Sequence, residues 1–152
     1  MIQRVLLFCS ITIIHCSGEK NAVVNPDKPF QLQHKESNLF LDENLNFVEL
    51  KNQAATFEFE SAFVSRRVTD RRIKEIKSGK VFAIEGGCDG KNITLQNKAG
   101  GKNQLFFVLT TSAIQTYCDE NKYLTLSSTN NLISEYIDYK NKNKYQFNYI
   151  QQ

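Results

Sequence analysis

One pattern of apolar runs is used three times along this chain, and it narrows the possible folds more than any other feature. From Pro29 onward, short apolar runs alternate with clusters of Asn, Lys, Gly and Ser. That is the spacing of short strands, not of helices. Leu39-Phe40-Leu41, Val81-Phe82-Ala83 and Tyr123-Leu124-Thr125 recur at a shift of 42. Phe57, Phe106 and Phe147 close the sets at shifts of 49 and 41, and the extra length of the second set falls largely in the glycine-rich residues 86–91. The twelve runs therefore divide into three sets of four.

A repeat of roughly 40 residues used three times determines the architecture. A propeller also repeats four strands, but it needs at least four blades to close. Three sets of four close instead as an all-β trefoil, a six-stranded barrel capped by three hairpins. We expect one such domain over residues 29–150, with Phe57, Phe106 and Phe147 as barrel-core aromatics. A sandwich of unrelated strands with accidental spacing is the other arrangement these strands allow.

The first residues read differently. Arg4 precedes a ten-residue apolar run from Val5 to Ile14, and Cys16-Ser17-Gly18 supplies small residues before the polar Glu19. This is the order of a secretory signal peptide over residues 1–18, followed by a tail over 19–28. The run is too short to span a bilayer, which takes ~20 apolar residues. A lipid anchor on Cys16 is the weaker reading, since bulky His15 precedes it. We expect a soluble, extracellular product with no membrane span. Without the leader it keeps Cys88, Cys118 and one histidine, His34. Its net charge of about +2 does not suggest nucleic-acid binding. Two cysteines in an exported chain form either one disulfide or two buried thiols.

The second repeat carries a resemblance. It reads Lys77-Ser78-Gly79-Lys80-Val81, then Asn92-Ile93-Thr94-Leu95-Gln96, then Asn103-Gln104-Leu105-Phe106. This resembles the ricin B-type lectin repeat, in which a Ser-Gly-Lys turn leads into a strand and Asn-Gln-x-Trp closes the unit. The chain is similar to the secreted ricin-B-like proteins of microsporidian parasites. The resemblance implies a β-trefoil that binds carbohydrate, with an acidic residue, an Asn–Gln pair and a stacking aromatic at each sugar site. Here Phe57, Phe106 and Phe147 replace Trp. Ala83 and Thr125 stand in the acidic position of repeats two and three, and Leu41 in that of repeat one, with Asp42 next to it. Asn103 and Gln104 keep the amide pair in repeat two, Asp89 on the glycine-rich insertion is the substitute acid, and Tyr136 lies near the aromatic position of repeat three. Gln104 has a second reading, as a brace that holds its repeat through backbone hydrogen bonds. The family's bridges lie within a repeat, whereas a Cys88–Cys118 bond would join two.

Other features are less pointed. Arg66, Arg67, Arg71 and Arg72 form a cluster that suits an anionic ligand or is a solvated hairpin. Asn92-Ile93-Thr94 is an N-glycosylation sequon whose Asn borders a strand. No cysteine pair or histidine pair has metal-ligand spacing, and no nucleophile elbow, phosphate loop or dinucleotide fingerprint occurs. We expect no cofactor and no enzyme, although hydrolases using carboxylates alone leave no such mark. Two functions stay open. One is a lectin-like module for a glycan or glycoprotein. The other is a trefoil whose loops bind a protein partner, as protease-inhibitor and cytokine-like trefoils do.

Overall fold

The computed structural model describes residues 28–61 and 71–151. The leader, most of the tail, Arg66 and Arg67 lie outside the described residues. Within them run twelve strands: β1 (Phe30–His34), β2 (Phe40–Leu41), β3 (Phe47–Val48), β4 (Phe57–Ser61), β5 (Arg71–Glu75), β6 (Val81–Ile84), β7 (Ile93–Gln96), β8 (Phe106–Val108), β9 (Ile114–Thr116), β10 (Lys122–Leu126), β11 (Leu132–Tyr136) and β12 (Phe147–Gln151).

Their pairing closes a barrel. Strand β1 pairs with β4, β4 with β5, β5 with β8 and β8 with β9, all antiparallel. An Ala113↔Gln146 bridge carries β9 to β12, and β12 pairs with β1. The strands left over form hairpins β2–β3, β6–β7 and β10–β11. These touch one another through Asn46↔Asn131 and Asn92↔Ile133 bridges. Six barrel strands and three capping hairpins make a β-trefoil.

The threefold relation shows in the core. Leu32, Ile73 and Ile114, at a constant shift of 41, are fully buried, as are Phe57, Phe106 and Phe147. Phe82 packs between two of those rings, its centroid 5.3 Å from Phe57 and 6.4 Å from Phe106. Burying a ring of this size is the main contribution a side chain makes to a small barrel. Two residues beyond Leu32, Ile73 and Ile114 on the same barrel strands, His34, Glu75 and Thr116 are buried and polar. Each accepts a backbone N–H three residues on: Ser37 N–H to His34 Nδ1 (3.3 Å), Ser78 N–H to Glu75 Oε2 (2.6 Å) and Asp119 N–H to Thr116 Oγ1 (3.2 Å). Three different residue types thus hold three equivalent turns.

The pairing corrects one alignment of the repeats. Gln33 pairs with Phe40, Lys74 with Val81 and Gln115 with Tyr123. The first two loops are equal in length and the third is one residue longer. Leu41, Phe82 and Leu124 are therefore the equivalent core residues, and the shift from repeat one to repeat two is 41, not 42. In consequence Asp42, not Leu41, takes the place of Ala83 and Thr125. Strand β5 also starts at Arg71, two residues earlier than the apolar run Ile73–Ile76 suggests. Arg72 lies opposite Glu60 in the β4–β5 ladder and is only 7% exposed. That removes it from any exposed anion-binding patch.

Candidate functional site

The Cys88–Cys118 disulfide forms, with Cα atoms 5.2 Å apart. It fastens the hairpin of repeat two to the first turn of repeat three. Each cysteine is followed by an aspartate, so the bond places Asp89 and Asp119 at the same junction. Gly90 fixes the loop there. A Cβ on it would stand 1.8 Å from the Glu85 carbonyl oxygen, so only glycine fits this turn.

Tyr136 stands at the same junction, at the end of β11 and opposite Lys122 in the β10–β11 ladder. Its ring is 63% exposed, although most large apolar surface in the barrel is buried. Lys122 is itself 9% exposed. Its Nζ lies 5.2 Å from the Tyr136 ring centroid and donates to the Cys88 carbonyl at 3.4 Å. This cation–π contact holds the ring upright with the rest of it open to solvent. The Asp119 carboxylate, by its charge first and by a hydrogen bond from the tyrosine hydroxyl second, raises that hydroxyl above its ordinary pKa. Slight burial and the charge of Asp89 add in the same direction. The group is thus an aromatic platform with a neutral hydroxyl, two carboxylates and one ammonium.

The structure therefore brings Asp89 and Tyr136 together, and no hydrogen bond or ion pair joins Asn103 or Gln104 to them. Asn103 donates from Nδ2 to the Ile84 carbonyl at 3.0 Å. Gln104, 2% exposed, accepts the Ala99 N–H at 2.7 Å and donates to the Asn97 carbonyl at 2.9 Å. Both polar atoms of Gln104 are thus committed to backbone. In repeat three Tyr145 stands in its place, two residues before the core phenylalanine. Its hydroxyl accepts from Asp138 N–H and donates to the Tyr136 carbonyl. Asp42 accepts from the N–H groups of Asn44 and Asn46, both at 2.8 Å, and closes its own hairpin turn. Asn92 is exposed, its Nδ2 3.4 Å from Glu85 Oε2.

Sequence reasoning missed Asp119 and Lys122. The available signal was the Cys-Asp dipeptide, which occurs at 88–89 and again at 118–119.

No family model matches this sequence, and neither does any curated protein. Solved structures do resemble it. The chain is similar to a GlcNAcα1-4Gal-releasing endo-β-galactosidase from Clostridium perfringens, with a TM-score of 0.67 and 11% identity over 83% of this chain and 33% of that one. It therefore spans about a third of that protein. It is similar to the designed threefold-symmetric protein ThreeFoil, with a TM-score of 0.60 and 16% identity over 83% of this chain and 100% of that one. It is also similar to the Rhizoctonia solani agglutinin, with a TM-score of 0.63 and 11% identity over 84% and 96% of the two chains. At such identities the likeness is one of fold, and the fold is the β-trefoil.

Proposed function

We propose that this protein is a carbohydrate-binding trefoil of the ricin B type that acts outside the cell and takes a glycan on Tyr136. The observation that carries the reading is the exposed Tyr136 ring, held by Lys122 and flanked by Asp89 and Asp119 at a disulfide-fastened junction. The apolar C–H face of a pyranose stacks on such a ring, and its hydroxyls donate to the carboxylates. Hydrogen bonds to a charged acceptor are the strong ones. The agglutinin among the trefoils of similar fold supports the reading. The apolar leader and the disulfide support export.

Binding without catalysis is part of the same proposal. The single described histidine, His34, has both ring nitrogens engaged, with Ser37 Oγ at 2.9 Å and the Lys144 carbonyl at 2.8 Å. It is poorly placed to serve as a general base. One observation favours a protein ligand instead: Tyr139, 66% exposed, adds a second open tyrosine shortly after Tyr136, and tyrosine is enriched where proteins dock. A glycan array on the oxidised protein separates the two. Signal on defined glycans that falls in Tyr136→Ala supports the sugar reading, and an array without signal, or with signal unchanged by that substitution, overturns it.

A further inference from the structure

We propose that the cleft between the first and second repeats is a second saccharide site, distinct from Tyr136, that takes a neutral mono- or disaccharide. The cleft measures about 510 Å3 and lies between the β2–β3 turn, the β5–β6 turn and strand β7. That falls within the ordinary range for small-molecule sites. Neither Ala83 nor Asn103 lines it, so it is not the niche in which the family resemblance places sugar.

The threefold relation explains why this junction stays open. Lys77 lies two residues past Glu75, as Cys118 lies two past Thr116. At the second junction Cys118 is bonded to Cys88 on the insertion 86–91. At the first, where the hairpin has no insertion, Lys77 meets Glu43 on the hairpin turn, with Nζ and Oε2 2.6 Å apart and both side chains more than half exposed. An exposed ion pair is weak and screened by solvent. One junction is therefore locked covalently, while its counterpart is crossed by a contact that a polar ligand can displace.

The lining suits a sugar. The buried Ile93 and the half-buried Leu95 supply the apolar part of the lining from one face of β7, and Thr94, between them in sequence, lies on the strand's other face. The Asn44 amide, the Ser78 hydroxyl and the Lys80 ammonium stand around the cleft. Together they supply both donors and acceptors to a ring of hydroxyls above a C–H face. Glu75 is not a free acceptor, since its carboxylate already takes the Lys77 and Ser78 N–H groups at 2.9 and 2.6 Å. Glu43 and Glu75 balance Lys77 and Lys80, which favours an uncharged ligand over a sulfated or carboxylated one.

The test is an amide NMR titration of the oxidised protein with lactose, N-acetyllactosamine and diacetylchitobiose, repeated on Tyr136→Ala and on the double variant Asn44→Ala/Lys80→Ala. The proposal extends the saccharide reading but uses none of its residues, so the two fail separately. The expected result is that at least one sugar shifts the amides of residues 77–80 and 93–95 in wild type and in Tyr136→Ala. In the double variant the response should require at least tenfold more sugar. Shifts confined to the surroundings of Tyr136 overturn this proposal and leave the Tyr136 reading standing. Shifts confined to the cleft do the reverse. A cleft response unchanged in the double variant, or no response to any of the three sugars, overturns it as well.

Discussion

Cys88 and Cys118 are 30 residues apart in sequence and 5.2 Å apart at Cα, and their bond joins two repeats that the β8–β9 ladder already connects. The bond lies on the loops, where it places Asp89 and Asp119. Replacing both cysteines with serine should therefore separate stability from binding. In the chain-entropy account a loop of this length contributes about 3–4 kcal/mol. Denaturant unfolding should show a loss up to that size with strand content retained below the transition. Glycan binding at Tyr136 should be lost in the folded variant. Full affinity in the variant would mean that the junction needs no fastening.

Gln104 and Asn103 should behave differently from Tyr136. Gln104→Ala leaves the Ala99 N–H and the Asn97 carbonyl without their partner. Asn97 and Ala99 are exposed, so water replaces the lost partner and the cost is that of two net hydrogen bonds at about 0.5–1.5 kcal/mol each. Chemical denaturation should report a loss of that size with sugar affinity unchanged. If instead Gln104→Ala keeps full stability and loses binding, the amide pair is the site after all.

Much of this was legible in the sequence, and the remainder has physical causes. Phe57, Phe106 and Phe147 show as core because the barrel needs one large ring per repeat, and repetition makes the position visible. The alignment of Leu41 with Phe82 was hidden, because the length of a turn between two strands leaves no mark on the apolar pattern. Arg72 reads as surface in a run of charges, and only the folded barrel shows it covered, at 7% exposure. The meeting of Tyr136 with Asp89 is made across a bond between repeats, which periodicity within a repeat does not reveal.

Glu75 makes stability depend on pH. Burial, the largest influence, pushes its carboxyl up, but hydrogen bonds from Ser78 and Lys77 together outweigh it and hold the group below its usual 4.5. A carboxyl lowered on folding contributes stability that is present above the unfolded value and lost as pH falls through the folded one. Melting temperature should therefore be flat from pH 7 to about 5 and fall below pH 4.5. Glu75→Gln should lower the plateau and flatten the acid limb. An acid limb as steep in Glu75→Gln as in wild type would assign the effect to other carboxylates.

The most direct test of the account is a calorimetric titration of the strongest array glycan against wild type, Tyr136→Ala, Asp119→Asn and Asn103→Ala. A tenfold loss corresponds to about 1.4 kcal/mol, the order expected when an aromatic stacking surface is removed. Tyr136→Ala should lose at least tenfold at the Tyr136 site, Asp119→Asn should lose affinity there in part, and Asn103→Ala should bind as wild type does. Wild-type affinity in Tyr136→Ala together with loss in Asn103→Ala would contradict the account and return the site to the second-repeat amide pair.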